Sequence, residues 1–306
     1  MRPMSVLRLS LKLACLSAAC LLVVTSAGAS QLLISTEQLA ERLGEPDLVI
    51  LHVGADREGF DGGHIPGARF LEWSAIATAR DGVPNEFPSR RALRDTFASL
   101  GVGDSSQVVL YDAAKGLPSA RAFVAFELIG FAGRVSVLDG QLAAWISEKR
   151  QVQAGPPRAA DKGKLTLNQA DAVVVRAEDV KRALAGGGAQ MVDGRSHAEW
   201  SGEKAGRDIA PARGGHLPGA VNVPWTEHLA KDGVPRLKSL GELRALYAEL
   251  AANAPVLTYC RTGVKASHTY FVLRLLGYQP HLYDGSYIEW HADAEAPIES
   301  LASEGG

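Results

Sequence analysis

The residues best suited to chemistry are those of the run Cys260-Arg261-Thr262-Gly263-Val264-Lys265. Thiolate is the reactive form of cysteine, and it forms more readily beside cations and at the start of a helix. Arg261 and Lys265 supply the cations. Gly263 lets the backbone curl, so that successive N–H groups can turn inward and cradle an anion. Such a loop can hold a nucleophilic sulfur together with the negative charge on it. Most free cysteines are small buried hydrophobes at strand ends. The short cationic glycine loop sets this one apart.

The flanking stretches position the loop. Val256 to Tyr259 has β propensity and runs straight into Cys260. From Ala266 to Leu276 the chain reads as a helix, and Gly277 follows where a glycine ends one. The helix start brings a positive dipole end to the loop.

The arrangement occurs twice. Ser35 to Leu43 has a capping-box pattern (Ser35, Gln38) and a counterpart in Arg176 to Leu184. Leu48 to Val53 answers to Gln190 to Asp193, and Gly63-His-Ile-Pro-Gly-Ala68 to Gly215-His-Leu-Pro-Gly-Ala220. Val108 to Asp112 answers to Val256 to Cys260, and Leu138 to Trp145 to Tyr283 to Trp290. Blocks repeated in one order mark a duplication. Val53 to His64 spans 11 residues but Val192 to His216 spans 24, which places an insertion in the second copy around Glu203 to Arg213. Strands alternating with helical stretches imply parallel sheets with helices on both faces, whose sites lie beyond the carboxyl ends of the strands.

The duplication is an internal control. Asp112 stands where the second copy has Cys260. A carboxylate cannot replace a thiolate nucleophile and would repel an anion, so the first copy is expected to be structural. Arg121, nine residues after Asp112, is a candidate partner for it. His64 and His216 sit in both Gly-His-x-Pro-Gly boxes although one copy alone has the thiol, which favours a turn-stabilising role over a catalytic one. Trp73 and Trp225 are expected to pack as core.

The loop, Gly215 to Asn222 and Tyr283 to Trp290 together resemble the rhodanese (thiosulfate sulfurtransferase) family, in which a cysteine opens a six-residue loop between a parallel strand and a helix. The resemblance covers most of the chain and implies two tandem rhodanese-like domains, each a parallel sheet flanked by helices. Residues 30–147 would form a domain without the nucleophile, 148–171 a linker, and 172–306 the catalytic domain. It further implies a persulfide on Cys260, with Arg261, Thr262, Gly263, Val264, Lys265 and Ala266 binding the substrate. Asp193 and Arg195 match the family's Asp-x-Arg pattern, which braces the loop. The expected partners are a small anionic sulfur donor such as thiosulfate and a thiophilic acceptor such as cyanide or a thiol; the alternatives are a sulfane-sulfur carrier that hands its sulfur to a protein partner, or a 3-mercaptopyruvate sulfurtransferase. Neither cofactor nor metal is implied. Two departures bear on the donor. Glu199 stands six residues after Asp193, where typical members have a substrate-binding arginine, and the loop is neither the thiosulfate type nor the mercaptopyruvate type. A Cys-x5-Arg phosphatase is disfavoured, because the sixth residue after Cys260 is Ala266.

The first 29 residues read as an export leader: Arg2, Arg8 and Lys12, then an apolar run from Leu13 to Ser26, then Ala27-Gly-Ala29. The run is short of the ~20 residues that span a bilayer. Cleavage there would send the protein to the periplasm with no membrane attachment. It would remove Cys15 and Cys20 and leave Cys260 as the sole thiol, so that no internal disulfide can form. The whole chain carries 32 Lys and Arg against 34 Asp and Glu. That balance gives no footprint for nucleic acid or an anionic membrane.

Overall fold

The computed structural model describes residues 32–301 apart from 132–133, 158, 171, 188–189 and 207–212. The expected leader and most of the expected insertion lie outside the described residues. The first copy runs β1 (Leu33–Ile34), α1 (Thr36–Arg42), β2 (Leu48–Gly54), α2 (Arg57–Gly62), β3 (Arg69–Glu72), β4 (Thr78–Arg80), β5 (Val83–Glu86), α3 (Arg90–Ser99), β6 (Gln107–Tyr111), α4 (Leu117–Leu128), β7 (Val135–Leu138) and α5 (Gln141–Ser147). The second runs β8 (Val174–Val175), α6 (Ala177–Gly186), β9 (Gln190–Asp193), α7 (His197–Trp200), β10 (Val221–Asn222), α8 (Leu240–Leu246), β11 (Val256–Tyr259), α9 (Val264–Leu275), β12 (Pro280–Tyr283) and α10 (Ser286–Trp290).

Each copy is a five-stranded parallel sheet, ordered β1-β7-β6-β2-β3 and β8-β12-β11-β9-β10. The central strands β6 and β11 are apolar at nearly every position because helices cover both faces. A small antiparallel hairpin, β4–β5, lies beside the first sheet, and its counterpart in the second copy is an antiparallel bridge between Leu229 and Leu237.

The copies meet along α4 and α9, both of which are buried over most of their length. Phe123 and Phe271 pack edge to face at 5.0 Å across this seam. One continuous apolar cluster takes residues from both copies, among them Val49, Phe123 and Leu110 with Val256, Phe271 and Leu282. A smaller cluster lies on the outer face of each sheet.

Local signals account for the element ends. Ser35 and Gln38 make the reciprocal capping box at α1. Gly277, at φ +93°, ends α9, with its N–H on the Arg274 carbonyl and the Tyr278 N–H on that of Leu273. The Gly-His-x-Pro-Gly boxes are turns held by their histidines. His64 Nδ1 lies 2.9 Å from the Phe60 carbonyl and His216 Nδ1 2.8 Å from that of Trp200, each ring stacked on the side chain of the same residue. Trp73 and Trp225 are half-buried; Trp73 packs against the edge of the apolar cluster.

Candidate active site

β11 delivers Cys260 to the carboxyl end of the central strand, and the chain turns at once into α9. The turn is tighter than the sequence suggests: the helix starts at Val264, two residues before Ala266, with Gly263 as its N-cap at φ +79°. A left-handed N-cap favours glycine. A Cβ there would also lie 2.7 Å from Asp284 Oδ1, so the position is closed to larger residues. Cys260 is 1% exposed at the floor of the loop, while Arg261, Thr262, Val264 and Lys265 are half-buried around it. Ala266 is buried in the first turn of α9.

The loop backbone is clamped from below by the start of α10. The Cys260 N–H donates to Ser286 Oγ at 3.3 Å, and the Tyr287 and Ile288 N–H groups donate to the Cys260 and Arg261 carbonyls at 3.0 Å. On the helix side, Ser267 donates its hydroxyl to the Gly263 carbonyl at 2.9 Å. These bonds consume carbonyls below the loop.

Asp193 and Arg195 form a fully buried pair. The carboxylate accepts the backbone N–H and Nε of Arg195, and Nη2 at 2.6 Å; Nη2 also reaches the Gly215 carbonyl. The guanidinium lies 3.9 Å from the centre of the Tyr287 ring. Burial works against this cation, but the Asp193 charge and hydrogen bonds prevail and raise its pKa. Between the two, Gly194 donates to the Tyr259 carbonyl at 2.9 Å and abuts α9, where an added Cβ would lie 3.0 Å from Thr269 Oγ1. The Asp-x-Arg turn thus supports the end of β11 through its backbone.

Glu199 faces the loop. Its carboxylate lies 3.8 Å from Lys265 Nζ and accepts the Ser196 hydroxyl at 2.8 Å. Burial opposes its charge, but Ser196, Lys265 and Arg195 together hold the carboxyl below its usual range. The carboxylate therefore offsets the cation that the loop contributes at Lys265.

The first copy has the same scaffold with different contents. Asp112 is buried, and its carboxylate accepts the N–H groups of Ala114, Gly116 and Ser119 at 2.6, 3.0 and 2.9 Å. Burial pushes this carboxyl up, against those three donors. The side-chain oxygen of Gln141 accepts the Asp112 N–H at 2.9 Å, as Ser286 accepts that of Cys260. The cradle is thus filled by its own carboxylate.

Arg121 does not pair with Asp112 as its spacing suggests. It is the fifth residue of α4, fully buried, and it points into the other copy. Nη1 lies 2.6 Å from Asp284 Oδ1 and 3.3 Å from Ser267 Oγ, and Nη2 bonds the Asn85 carbonyl. Asp284 Oδ2 accepts the Phe87 N–H at 2.8 Å, and Asn85 Nδ2 donates to Thr262 Oγ1 at 3.3 Å. Sequence reasoning missed Asn85, Phe87, Ser267, Asp284 and Ser286. The repeated block Tyr283 to Trp290 was the available signal for the last two.

Comparison with known proteins agrees with this architecture. The rhodanese-like domain family model matches residues 35–148 and again 176–293. The sulfur carrier protein TtuD of Thermus thermophilus is 34% identical over 286 residues, covering 88% of this chain and 96% of its own. The thiosulfate sulfurtransferase of Corynebacterium glutamicum is 31% identical over 278 residues, covering 88% and 90%. Among solved structures, the 3-mercaptopyruvate sulfotransferase SseA of Escherichia coli superposes with a TM-score of 0.71 at 27% identity, over 84% of this chain and 98% of that one.

Proposed function

We propose, from the premise that this chain belongs to the rhodanese-like family, that its sulfur transfer uses thiosulfate as donor and Cys260 as carrier of the sulfur. One observation supports the reading above others: the only cysteine beyond the expected leader opens a left-handed glycine loop at the carboxyl end of the central strand, facing the start of a helix.

In the first half-reaction the Cys260 thiolate attacks the outer sulfur of thiosulfate. A new S–S bond forms, the donor's S–S bond breaks, and its electron pair leaves on sulfite. In the second, cyanide or a thiolate attacks the terminal persulfide sulfur and the thiolate returns. This is two-step covalent catalysis. The protein's part is to hold anionic sulfur among loop N–H groups and the half-buried Arg261, at the positive end of the α9 dipole. No general base is needed, since the nucleophile attacks as an anion.

A second reading, a carrier that hands its sulfur to a protein, is favoured by one feature. Glu199 offsets Lys265 and so weakens the attraction for a small dianion. The relative TtuD is itself named a sulfur carrier. The pattern from Arg2 to Ala29 supports export as the setting for either reading.

Intact-mass measurement tests the proposal. Incubation with thiosulfate should add one sulfur to the wild type, cyanide should remove it, and Cys260→Ser should take up none while keeping its circular dichroism spectrum. Sulfur uptake by Cys260→Ser would overturn the assignment.

A further inference from the structure

The first copy has no nucleophile, yet one of its side chains reaches the turn of the catalytic loop. We infer that Arg121 is a positioning residue for sulfur transfer, supplied by the silent copy to fix the loop at Gly263 from both sides. The inference rests on the sulfur-transfer reading above and goes beyond it in naming what sets the loop's shape.

Gly263 is the pivot of the loop, at φ +79°: a Cβ there would lie 2.7 Å from Asp284 Oδ1 and 3.1 Å from Arg121 Nη1, and Ser267 bonds its carbonyl. Ser267 holds the Gly263 carbonyl, while Asp284 Oδ1 lies against the glycine's open face. The same nitrogen of Arg121 bonds both, at 3.3 and 2.6 Å. Asp284 also leads directly into Ser286, Tyr287 and Ile288, which bond the backbone of Cys260 and Arg261. A guanidinium is suited to this task because its planar fork stays charged and presents several donors at once.

Arg121 is itself fixed from the first copy. Its guanidinium lies 3.4 Å from the centre of the Phe87 ring, and Nη2 is taken by the Asn85 carbonyl. The Phe87 N–H holds the other oxygen of Asp284. The end of β5 and helix α4 therefore grip Asp284 and Arg121 as one block. The opposite cradle lacks an equivalent cation. The fifth residue of α9 is His268, whose Nε2 would lie 3.4 Å from a Cβ on Gly116.

A loose Gly263 turn would misalign the N–H groups that hold persulfide charge while leaving the rim residues that meet the donor in place. Arg121→Lys should therefore lower kcat for thiosulfate:cyanide transfer about tenfold or more with KM changed less than twofold, because a single ammonium cannot reproduce the fork. Hydrogen exchange should quicken at residues 261–267 and not in β6 or β9. Arg121→Ala would strand the Asp284 carboxylate in the interior. The double variant Arg121→Met/Asp284→Asn removes both charges while keeping volume, and should show the same loss of kcat. A wild-type kcat in a folded Arg121→Lys or double variant, with only the melting temperature lowered, would overturn the inference. Sulfur uptake by the wild type, read by intact mass, tells the two readings apart. Its absence would refute the proposed activity, while the exchange pattern would still report on positioning.

Discussion

Replacing Glu199 by glutamine isolates the electrostatics of donor binding. Glutamine keeps an oxygen for the Ser196 hydroxyl and N–H, so the short helix α7 keeps its cap. What it removes is one charge 3.8 Å from Lys265 Nζ. At that distance a unit pair is worth about 4 kcal/mol at an effective dielectric of ~20 and about 1 kcal/mol in bulk water. The Lys265 and Glu199 side chains are 36% and 16% exposed, so the lower value applies. Freeing Lys265 for an anionic donor should thus lower the KM for thiosulfate about fivefold, with kcat little altered, as expected for uniform binding. Screening should shrink the gain at high salt. Because the carboxyl is held below its usual range, it is ionised throughout neutral pH, and the gain should be constant there. As pH falls through its lowered pKa, the wild type should converge on the variant. Steady-state kinetics at low and high ionic strength is the assay. An unchanged KM at low salt would show that Lys265 does not meet the donor, and would shift weight to the carrier reading.

Two further outcomes follow from buried charge. Asp193→Asn leaves the Arg195 guanidinium unpaired in the interior and should cost about 3–5 kcal/mol in urea unfolding; a loss below about 1 would contradict the buried pair. His228 and His268 are stacked and buried, with Nδ1 atoms 3.1 Å apart and His228 Nε2 2.6 Å from the Tyr247 hydroxyl. Burial lowers both, His268 to about 4. Between the ordinary pKa of ~6.5 and that value the unfolded chain binds protons that the folded chain refuses, so stability should fall as pH drops through this window. His268→Gln should reduce the fall, and an identical pH dependence in the variant would refute the assignment.

Much of the site could be read before the fold was known because its signals are local. The strand into Cys260, the glycine and the cations are contiguous, and the duplication exposed Asp112 as a substitute for the thiol. α9 starts two residues earlier than Ala266 because a left-handed Gly263 caps the helix directly, which outweighs the weak helix propensity of β-branched Val264. Arg121 misled for a geometric reason. Its distance along the chain pointed to Asp112, but the turn of α4 carries its side chain across the seam to Asp284. Asp284 lay inside a recognised repeat, yet its contacts with Phe87 and Arg121 join residues 197 and 163 positions away. The spacing after Asp193 showed an arginine missing at Glu199. Only the fold shows that this carboxylate turns to Lys265.

Duplicated folds are often pictured as beads that recombination can exchange or discard. The apolar cluster spanning both copies makes that picture wrong for this chain. Discarding the first copy would uncover Phe271, now packed against Phe123 of α4, as wet apolar surface. It would also remove the Arg121 guanidinium beside the Cys260 loop. Asp112 leaves the first copy without a thiol of its own, but the seam and the reach of Arg121 into the other copy keep it from being dispensable.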